Sequence, residues 1–273
     1  MYWHLDIYCP FLASLGPDQS GHAVRLTLSA GIGAGGVLGG DGLYWAWGAA
    51  IVVDLVGSNL ATDAGGFKID RDHFSERHGL FVIIALGESL IITAAGLAGR
   101  DWTVNLTLFA LLSLAFTFGL WWSYFAGTKD MLDSLFESLS ESGVWNVARD
   151  SFSMFHYPML VGIIFVRAVV EEGIVQPEEP LHIEARVALG VGIALFVVGM
   201  GLALKRAGGG WHLHRMVTTA LIALAIVFIA DVDAYVTILM GLAGMIVIGT
   251  IEHFLYEGGS PAIEDERMFE ISG

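Results

Sequence analysis

Residues 73–91 read HFSERHGLFVIIALGESLI, a polar beginning followed by an apolar run with one charged side chain, Glu88, at its centre. An apolar run of about 20 residues is long enough to cross a bilayer as a helix. A charged side chain at the bilayer midplane costs about 3 kcal/mol on insertion scales. The stretch therefore predicts a membrane-spanning helix that holds a carboxylate with a specific role.

The composition of the whole chain predicts the same class. Hydrophobic residues make up 55% of the 273 residues, charged residues only 15%, and the mean hydropathy is +0.67. Soluble domains carry about 25% charged residues. The one cysteine, Cys9, excludes an intrachain disulfide, and no Cys/His pair has zinc-finger spacing. The sequence predicts an all-α, polytopic transmembrane helical bundle without a cofactor.

The apolar stretches predict about eight spans, and the first 15 residues resemble part of a further span. The predicted spans cover about residues 22–38, 42–60, 78–98, 103–126, 150–174, 184–204, 214–231 and 234–256. Basic residues favour cytoplasmic loops. Ten of the 13 Lys and Arg residues fall on one side of this arrangement, Arg100 and Arg186 fall on the other, and Arg167 lies inside a span. We expect a plasma-membrane domain over residues 1–257 and an acidic cytoplasmic tail over residues 258–273.

The formal net charge of −15 comes from the loops and the tail. Nucleic acid is not an expected partner, because phosphate contacts need a basic face. The expected partners are the lipid bilayer and a small cation or proton, and the oligomeric state stays open. Apolar residues at helical spacing between Lys129 and Arg149 predict an acidic surface helix that packs on the protein itself.

Glu88 is the first candidate site residue. Arg77, Phe81, Ile84 and Glu88 lie on one helical face, and Arg77 marks its cytoplasmic mouth. A stripe of small residues beside that face allows a neighbouring helix to approach closely. We expect Glu88 to face the bundle, either as a buried carboxyl that bonds across helices or as part of a proton or cation pathway.

The predicted fifth span carries a second set of candidates. Arg167 and Glu171 are one turn apart and can form an ion pair, which would lower the cost of a buried Arg. His156 lies near the inner end of the helix, and Pro158 disturbs the backbone beside it. A histidine with a near-neutral pKa suits proton exchange. Hydrogen-bonded packing is the alternative role for His156.

The third set is spread over several segments. Asp54 lies in the cytoplasmic half of the second predicted span, where it could pair with a polar residue of the next helix. His73 and Glu76 form a polar cluster with their neighbours. A helical metal pair needs histidines at i and i+4, whereas His73 and His78 are five apart. We therefore predict no metal site.

Glycine spacing predicts close helix contacts. Residues 31–36, GIGAGG, match the dinucleotide fingerprint, but that motif acts between a strand and a helix of a soluble sheet. Within an apolar span, glycines four apart indicate close packing of helices. The same interpretation applies to the glycines at positions 190, 192, 199 and 201.

The residues resemble a known family. The segment from His73 to Ser89 is similar to the signature of the bacterial low temperature requirement A (LtrA) family, and the HYPMLVGII segment at 156–164, followed by Glu171 and Glu172, resembles its second recurrent segment. The resemblance implies a multi-pass membrane protein of prokaryotes whose biochemical activity is not established. The family's usual additional N-terminal spans, with an acidic, Phe-rich motif, are not found, so we expect a form that lacks them.

Two functional hypotheses follow, with a third beside them. A transporter or channel would arrange Glu88, with Asp54 and His156, around an interior cavity among glycine-rich helices. A membrane-embedded enzyme would need a nucleophile or metal with an orienting partner, and the sequence offers only fragments of one, so no catalytic residue is predicted. A sensor or assembly factor would use the polar residues only for helix packing. Ion-coupled transport is the favoured hypothesis.

Overall fold

The structure is a computed structural model that describes residues 40, 42–46, 48–50, 52 and 70–257; of residues 141–143, 253 and 255–257 it describes the backbone only. The chain divides into two compact units, Met1–Ile69 and Asp70–Gly273. The described residues of the first unit are helical. The predicted span at 22–38 lies outside the described residues, as does most of the span at 42–60.

The second unit is built from helices, and its described residues form no strand. The elements are α1 (Arg71–Leu97), α2 (Val104–Ser123), the π-helix π1 (Tyr124–Thr128), α3 (Lys129–Glu137), α4 (Glu141–Val147), the π-helix π2 (Ala148–Met154), α5 (His156–Val175), α6 (Ile183–Arg206), α7 (Leu213–Phe228) and α8 (Ala234–Glu257). In the described part of the chain, the all-α prediction is confirmed.

Among the described residues, four helical stretches are long and apolar enough to cross a membrane: Arg71–Leu97, Val104–Glu137, Ile183–Arg206 and Ala234–Glu252. Helix α7 is apolar but shorter, with 16 residues. Helix α5 carries Arg167, Glu171 and Glu172 within its 20 residues. The six predicted spans from 78 onward each coincide with a helix, and the total of eight stays a prediction.

Local sequence explains where the first helices begin. Asp70 precedes α1, and its carboxylate accepts a hydrogen bond from the backbone N–H of His73 at 3.2 Å. Thr103 caps α2 in the same way, accepting from the N–H of Leu106 at 3.1 Å. Such caps satisfy N–H groups that have no partner within the helix. Each helix therefore begins one residue after a short polar side chain.

The predicted surface helix continues directly from a spanning helix. Helices α2, π1 and α3 form one uninterrupted helical stretch, Val104–Glu137. Leu132 and Phe136 on α3 are buried, at 0% and 1% exposure, whereas Ser134, between them, and Glu137, after Phe136, are exposed. The prediction that this acidic amphipathic helix packs on the protein is confirmed.

One end of the unit, here called the Arg215 end, collects the beginnings of α1, α5 and α7 and the ends of α3, α6 and α8. Arg71 Nη1 donates to the carbonyl of Phe136 at 3.3 Å, which joins α1 to the end of α3. Arg206 Nε donates to Asp150 at 2.6 Å, which joins the end of α6 to π2. Arg215 reaches α8, as described below.

The opposite end, here called the Arg186 end, joins the other helix termini through backbone carbonyls. Arg100 donates to the carbonyl of Ile174 at 2.7 Å, at the end of α5. Arg186 donates to the carbonyl of Ile229, after α7. The predicted separation of Arg100 and Arg186 from the cations of the other described loops is confirmed. The assignment of the Arg215 end to the cytoplasm stays a prediction.

Glycines set the distance between α5 and α6. A Cβ added at Gly162 would lie 2.4 Å from the carbonyl oxygen of Gly192, and one added at Gly199 would lie 2.8 Å from the carbonyl oxygen of Phe155. Both distances are too short for a side chain, so the backbones touch directly. The close contact predicted for the glycines of α6 is confirmed, and it places the beginning of α5 against the end of α6.

Candidate functional site

The structure buries one of the eight predicted site residues, His156, at 3% exposure. Arg167 is partly buried. Asp54 lies outside the described residues. The remaining side chains are exposed: His73, Glu76, Arg77, Glu88 and Glu171. The predicted residues are therefore not gathered into one site within the described part of the chain.

Glu88 does not lie where the sequence predicted it. The residues predicted to share its face do share it, but that face of α1 is exposed. The adjacent face packs inward through Val82, Leu86 and Ser89, and Gly96 further along lies against Ile174 of α5. The small residues allow the close helix contact, and Glu88, one position before Ser89, is turned about 100° away from it. The prediction that Glu88 faces the bundle is wrong for the described helices.

Of two further predicted groupings, one is a local surface contact and the other does not form. His73 lies 3.7 Å from Glu76 on an exposed surface, where such pairs contribute little to stability. Arg167 and Glu171 form no ion pair within 4 Å, and Arg167 Nε is buried without a hydrogen-bond partner. The predicted pairing of Arg167 with Glu171 is wrong. Among the described residues, no three His, Cys, Asp or Glu side chains could hold a metal ion together.

His156 lies in a buried hydrogen-bonded chain. Its Nδ1 is 2.9 Å from the carbonyl oxygen of Ser151, and its Nε2 is 2.7 Å from the hydroxyl of Tyr124. A carbonyl oxygen only accepts, so Nδ1 carries the proton. In the neutral ring, Nε2 then accepts from the Tyr124 hydroxyl. Tyr124 itself is 1% exposed, so the pair is closed off from solvent.

A second histidine lies beside this pair. The His78 ring is 5.7 Å from the His156 ring, measured between centroids, at an angle of 68°. His78 Nδ1 donates to the carbonyl of Phe74 at 2.8 Å. Phe152 stacks on His156, with ring centroids 5.7 Å apart and planes 12° apart, and contacts His78 edge-on. Aromatic rings therefore hold both imidazoles inside the bundle.

A polar cleft opens beside these histidines at the beginning of α1. Lys129 Nζ is 2.5 Å from Asp133 Oδ2 and 3.4 Å from the hydroxyl of Ser75, which also contacts Asp133. The lining residues are Asp72, Ser75, Glu76, Lys129, Asp133 and Glu137. A Cβ at Gly79 would lie 3.1 Å from Lys129 Cε, so the glycine leaves room for the Lys129 stem. The cleft combines one cation and four carboxylates at the beginning of α1.

The second buried cluster is an ion pair between α7 and α8. Arg215 Nη2 donates to Glu252 Oε2 at 2.8 Å, and Nε donates to the other carboxylate oxygen. Arg215 Nη1 donates to the hydroxyl of Thr128 at 2.8 Å. His214 Nε2 lies 3.5 Å from the same carboxylate. Arg215 is 4% exposed, so its charge is neutralised inside the protein.

The π-helix π1 connects the two clusters. Tyr124 and Thr128 stand at its two ends, and the N–H of Lys129 bonds to the carbonyl of Tyr124 five residues earlier. This wider turn directs Tyr124 to His156 and Thr128 to Arg215. Single π turns inside α-helices occur often at functional sites. The two pairs and π1 together are called the polar layer below.

A second π-helix, π2, precedes His156. The N–H of Phe155 bonds to the carbonyl of Asp150 five residues back. Pro158 lacks an N–H and its ring clashes with the carbonyl four residues before it, so a regular helix cannot run through this point. The predicted span at 150–174 therefore changes from π-helix to α-helix at Phe155, which presents the carbonyl of Ser151 to His156.

Asp150 on π2 holds the end of α6. It is 2.7 Å from Arg149 Nε and 2.6 Å from Arg206 Nε. Burial by itself would raise the pKa of the Asp150 carboxyl, but the hydrogen bonds and positive charges of the two arginines outweigh it, so the pKa lies below its usual range. Asp150 therefore stays charged at neutral pH and links π2 to α6.

The amino-acid sequence also matches a known protein family. The family model described as bacterial low temperature requirement A protein (LtrA) matches residues 19–250, most of the chain. The chain belongs to the LtrA family. Its place in that family agrees with the membrane-spanning helices described above. No solved structure matches the LtrA chain.

A curated relative matches a smaller part of this LtrA protein. The Uncharacterized protein RA0937 of Rhizobium meliloti (strain 1021) is 29% identical over 127 residues, which are 44% of this chain. The match covers 31% of the relative, so the chain spans about a third of that protein's length. The name of the relative states no activity.

Sequence reasoning missed most of the polar layer of this LtrA protein. It selected His156, but it counted Arg215 among the loop cations and assigned Glu252 no role. Tyr124 and Thr128 had no role. The available signal was that the predicted spans at 214–231 and 234–256 each contain one of the two opposite charges. Charges inside two spans that meet at one end indicate a pair.

Proposed function

We propose that this LtrA protein moves protons, or a small solute coupled to protons, across the membrane, and that the polar layer is its proton-exchange site. One observation carries the proposal: within the bundle, π1 joins a His–Tyr pair to an Arg–Glu pair. Ionisable residues inside membrane helices are costly, and they commonly mark ion pathways and proton relays.

The Tyr124–His156 pair has the donors and acceptors that a relay needs. In the neutral state the tyrosine hydroxyl donates to His156 Nε2, and Nδ1–H donates to the carbonyl of Ser151. A proton that arrives from the side of Lys129 and Asp133 can bind at Nε2 once the hydroxyl turns away. An imidazole can bind a proton at one ring nitrogen and release one from the other. His156 is therefore the proposed carrier.

The Arg215–Glu252 pair couples a proton to helix packing. A proton on Glu252 removes the negative charge that holds Arg215, and it weakens the contact between α7 and α8. A ligand shifts a conformational equilibrium only by the difference between its affinities for the two states. Protonation supplies such a difference, because a protonated Glu252 favours an arrangement of α7 and α8 in which it no longer binds Arg215.

The proposal is tested by proton flux in proteoliposomes. The full chain is reconstituted with an internal pH-sensitive dye, and H⁺, Na⁺ and K⁺ gradients are imposed in turn. Tyr124→Phe removes the hydroxyl that bonds to His156 and keeps the ring, and we expect the initial proton flux to fall at least tenfold. Tyr157→Phe, at the exposed next position to His156, is the matched control, with flux within twofold of wild type.

Two results would count against the proposal. One is a correctly folded wild type that carries no protons under any of the gradients. The other is equal flux in wild type and Tyr124→Phe, which would assign the polar layer to helix packing. Buried ionic groups that only specify packing are known in other proteins.

Glu88 stays a separate prediction. Its side chain is exposed on α1, and a carboxylate at that depth of a membrane helix is a candidate ion ligand. Glu88→Gln in the same assay tests it. Loss of flux in a folded variant would add Glu88 to the pathway, whereas unchanged flux would restrict the pathway to the polar layer.

A further inference from the structure

Three buried residues among the described parts of α2, α7 and α8 have a hydroxyl group without a hydrogen-bond partner. Ser113, Thr219 and Thr237 are 1%, 1% and 0% exposed, and within the described residues their Oγ atoms bond to nothing. Other helical hydroxyls of this chain donate to the carbonyl four residues earlier, as Thr117 does at 3.0 Å and Thr250 at 2.7 Å. That carbonyl is available to any helical Ser or Thr. The three orphaned hydroxyls therefore need another explanation.

Helices α2 and α8 run side by side in a fixed register. Phe109 of α2 and Ala234 of α8 both lie against Gly173 of α5. Two turns further along, the ring of Phe116 lies against Gly241. In both places the residue on α8 follows the residue on α2 by the same number of positions in the sequence. The two helices therefore run parallel, and their levels correspond along this length.

This register brings two of the orphaned hydroxyls to the same level of the bundle. Ser113 lies between the two phenylalanine contacts on α2, and Thr237 lies between the corresponding contacts on α8. Both side chains are almost completely buried. Thr237 is also one turn from the Arg186 end, because its N–H bonds to the carbonyl of Asp233 at 3.2 Å.

The third orphaned hydroxyl lies next to the polar layer. Thr219 follows Arg215 by four residues on α7, so it lies one turn deeper on the same face. Ile222, in the next turn of α7, lies against Gly244 of α8, so this part of α7 is level with the region of α8 around Gly244. On α2, Ser123 has a buried hydroxyl without a partner, and its carbonyl accepts from Arg215 at 3.4 Å.

The hydroxyls are spaced along the length of the bundle. On α2, Ser123, Thr117 and Ser113 follow one another at about 9 Å and about 6 Å, from the rise of 1.5 Å per residue. Thr219 flanks the beginning of this row, and Thr237 flanks its end. The row extends from the Arg215–Glu252 pair to the turn before α8, which carries Asp233. One or two water molecules would bridge each interval.

We infer that these hydroxyls bind a file of water molecules that carries protons between Glu252 and Asp233; this rests on the proposed function and names its pathway. Each unpartnered hydroxyl accepts a hydrogen bond from one water and donates to the next, whereas Thr117, whose proton bonds to the carbonyl of Ser113, only accepts from a water of the file. A proton added at one end forms one O–H bond and breaks the next in turn, so a single proton leaves at the other end and nothing else is consumed. A buried hydroxyl without such a partner is costly, and a buried water commonly makes about three hydrogen bonds.

Cysteine accessibility tests the file directly. Thr237→Cys and Ser113→Cys are made singly in the full chain with Cys9→Ser, and the rate of reaction with aqueous Ag⁺, an ion small enough to follow a file of waters, is measured. Ile238→Cys is the matched control, because Ile238 is equally buried one position further along α8. We expect both hydroxyl positions to react at least tenfold faster than position 238. Equal rates would overturn the inference.

Proton flux gives the second measurement. Thr237→Val keeps the shape of the side chain and removes the hydroxyl, so we expect at least a tenfold loss of flux. Thr250→Val, at an exposed hydroxyl that already bonds to its own backbone, should keep wild-type flux. Full flux in Thr237→Val would overturn the inference and leave the proposed function in place. Reactive cysteines with no wild-type flux would overturn the proposed function and retain the hydrated row.

Discussion

The Arg215–Glu252 pair permits a quantitative prediction about stability. Glu252→Met removes the carboxylate, and Arg215→Met removes the guanidinium. The two residues are 4% and 19% exposed in their side chains and are 37 positions apart in sequence, so the pair links α7 to α8 inside the protein. Either single change leaves a buried charge without its partner.

The expected cost follows from the contacts. The pair contains two charge-assisted hydrogen bonds, each contributing about 1.5–3 kcal/mol, and breaking a buried pair costs about 3–5 kcal/mol. In Glu252→Met, the Thr128 hydroxyl and the Ser123 carbonyl still accept from Arg215. We therefore expect a loss of about 3 kcal/mol in the free energy of unfolding. The double variant replaces both charges by apolar side chains and should lie within about 1 kcal/mol of wild type.

The assay is unfolding by SDS in mixed micelles, followed by circular dichroism, on wild type, both single variants and the double variant. With a loss of about 3 kcal/mol in each single variant and about 1 kcal/mol in the double variant, the double variant should be about 5 kcal/mol more stable than the sum of the single losses predicts. Glu172→Gln, at the exposed pair of Glu172 with His182, is the control and should cost less than about 0.5 kcal/mol. Additive losses, or single losses under about 1 kcal/mol, would refute a buried, coupled pair.

Three further predictions use the same unfolding measurement. Gly162→Ala should destabilise the protein by about 1–3 kcal/mol, because its Cβ would lie 2.4 Å from the carbonyl oxygen of Gly192. The control, Gly87→Ala, meets nothing within 4 Å and should not destabilise the protein. Equal effects of the two variants would contradict this account of the α5–α6 contact. The pKa of Asp150 is depressed, so its stabilising contribution is complete above the ordinary pKa of 3.8 and is lost as the pH falls through the lower folded-state value. Asp150→Asn should therefore flatten the dependence of the unfolding free energy on pH below about pH 4. An unchanged slope there would argue against the two arginine contacts. Burial, followed by nearby positive charge, lowers the pKa of His212, so its contribution to stability is complete above pH 6.5 and declines as the pH falls below that value. His212→Gln should reduce the loss of stability on acidification from pH 6.5. A dependence of stability on pH identical to that of wild type would disprove this.

Much of the fold was predictable because it depends on local pattern. The lengths of the apolar segments predicted six helices in the described region with bounds close to those observed. The separation of Arg100 and Arg186 from the other loop cations predicted that successive helices alternate in direction. The amphipathic spacing from Lys129 onward identified α3, whose Leu132 is buried as expected. These features follow from the composition and period of single segments.

The candidate site was predictable only in part. His156 was selected because a histidine beside a proline within a span suits proton exchange, with hydrogen-bonded packing as the alternative, and the structure places it buried and hydrogen-bonded. Tyr124 gave no signal, because one tyrosine near the end of an apolar run is ordinary. Its role depends on a π turn, which changes the direction of a side chain by an amount that no residue count reveals.

The sequence alone determined that this is an all-helical membrane protein of the LtrA family, and it determined where its described helices lie. Only the tertiary structure decided which face of α1 packs inward, leaving Glu88 exposed, and that Arg215 meets Glu252. The physical reason is that helical periodicity places residues on faces, whereas the choice between adjacent faces depends on which neighbour fits closely. Pairing across 37 positions likewise exists only after α7 and α8 have packed together.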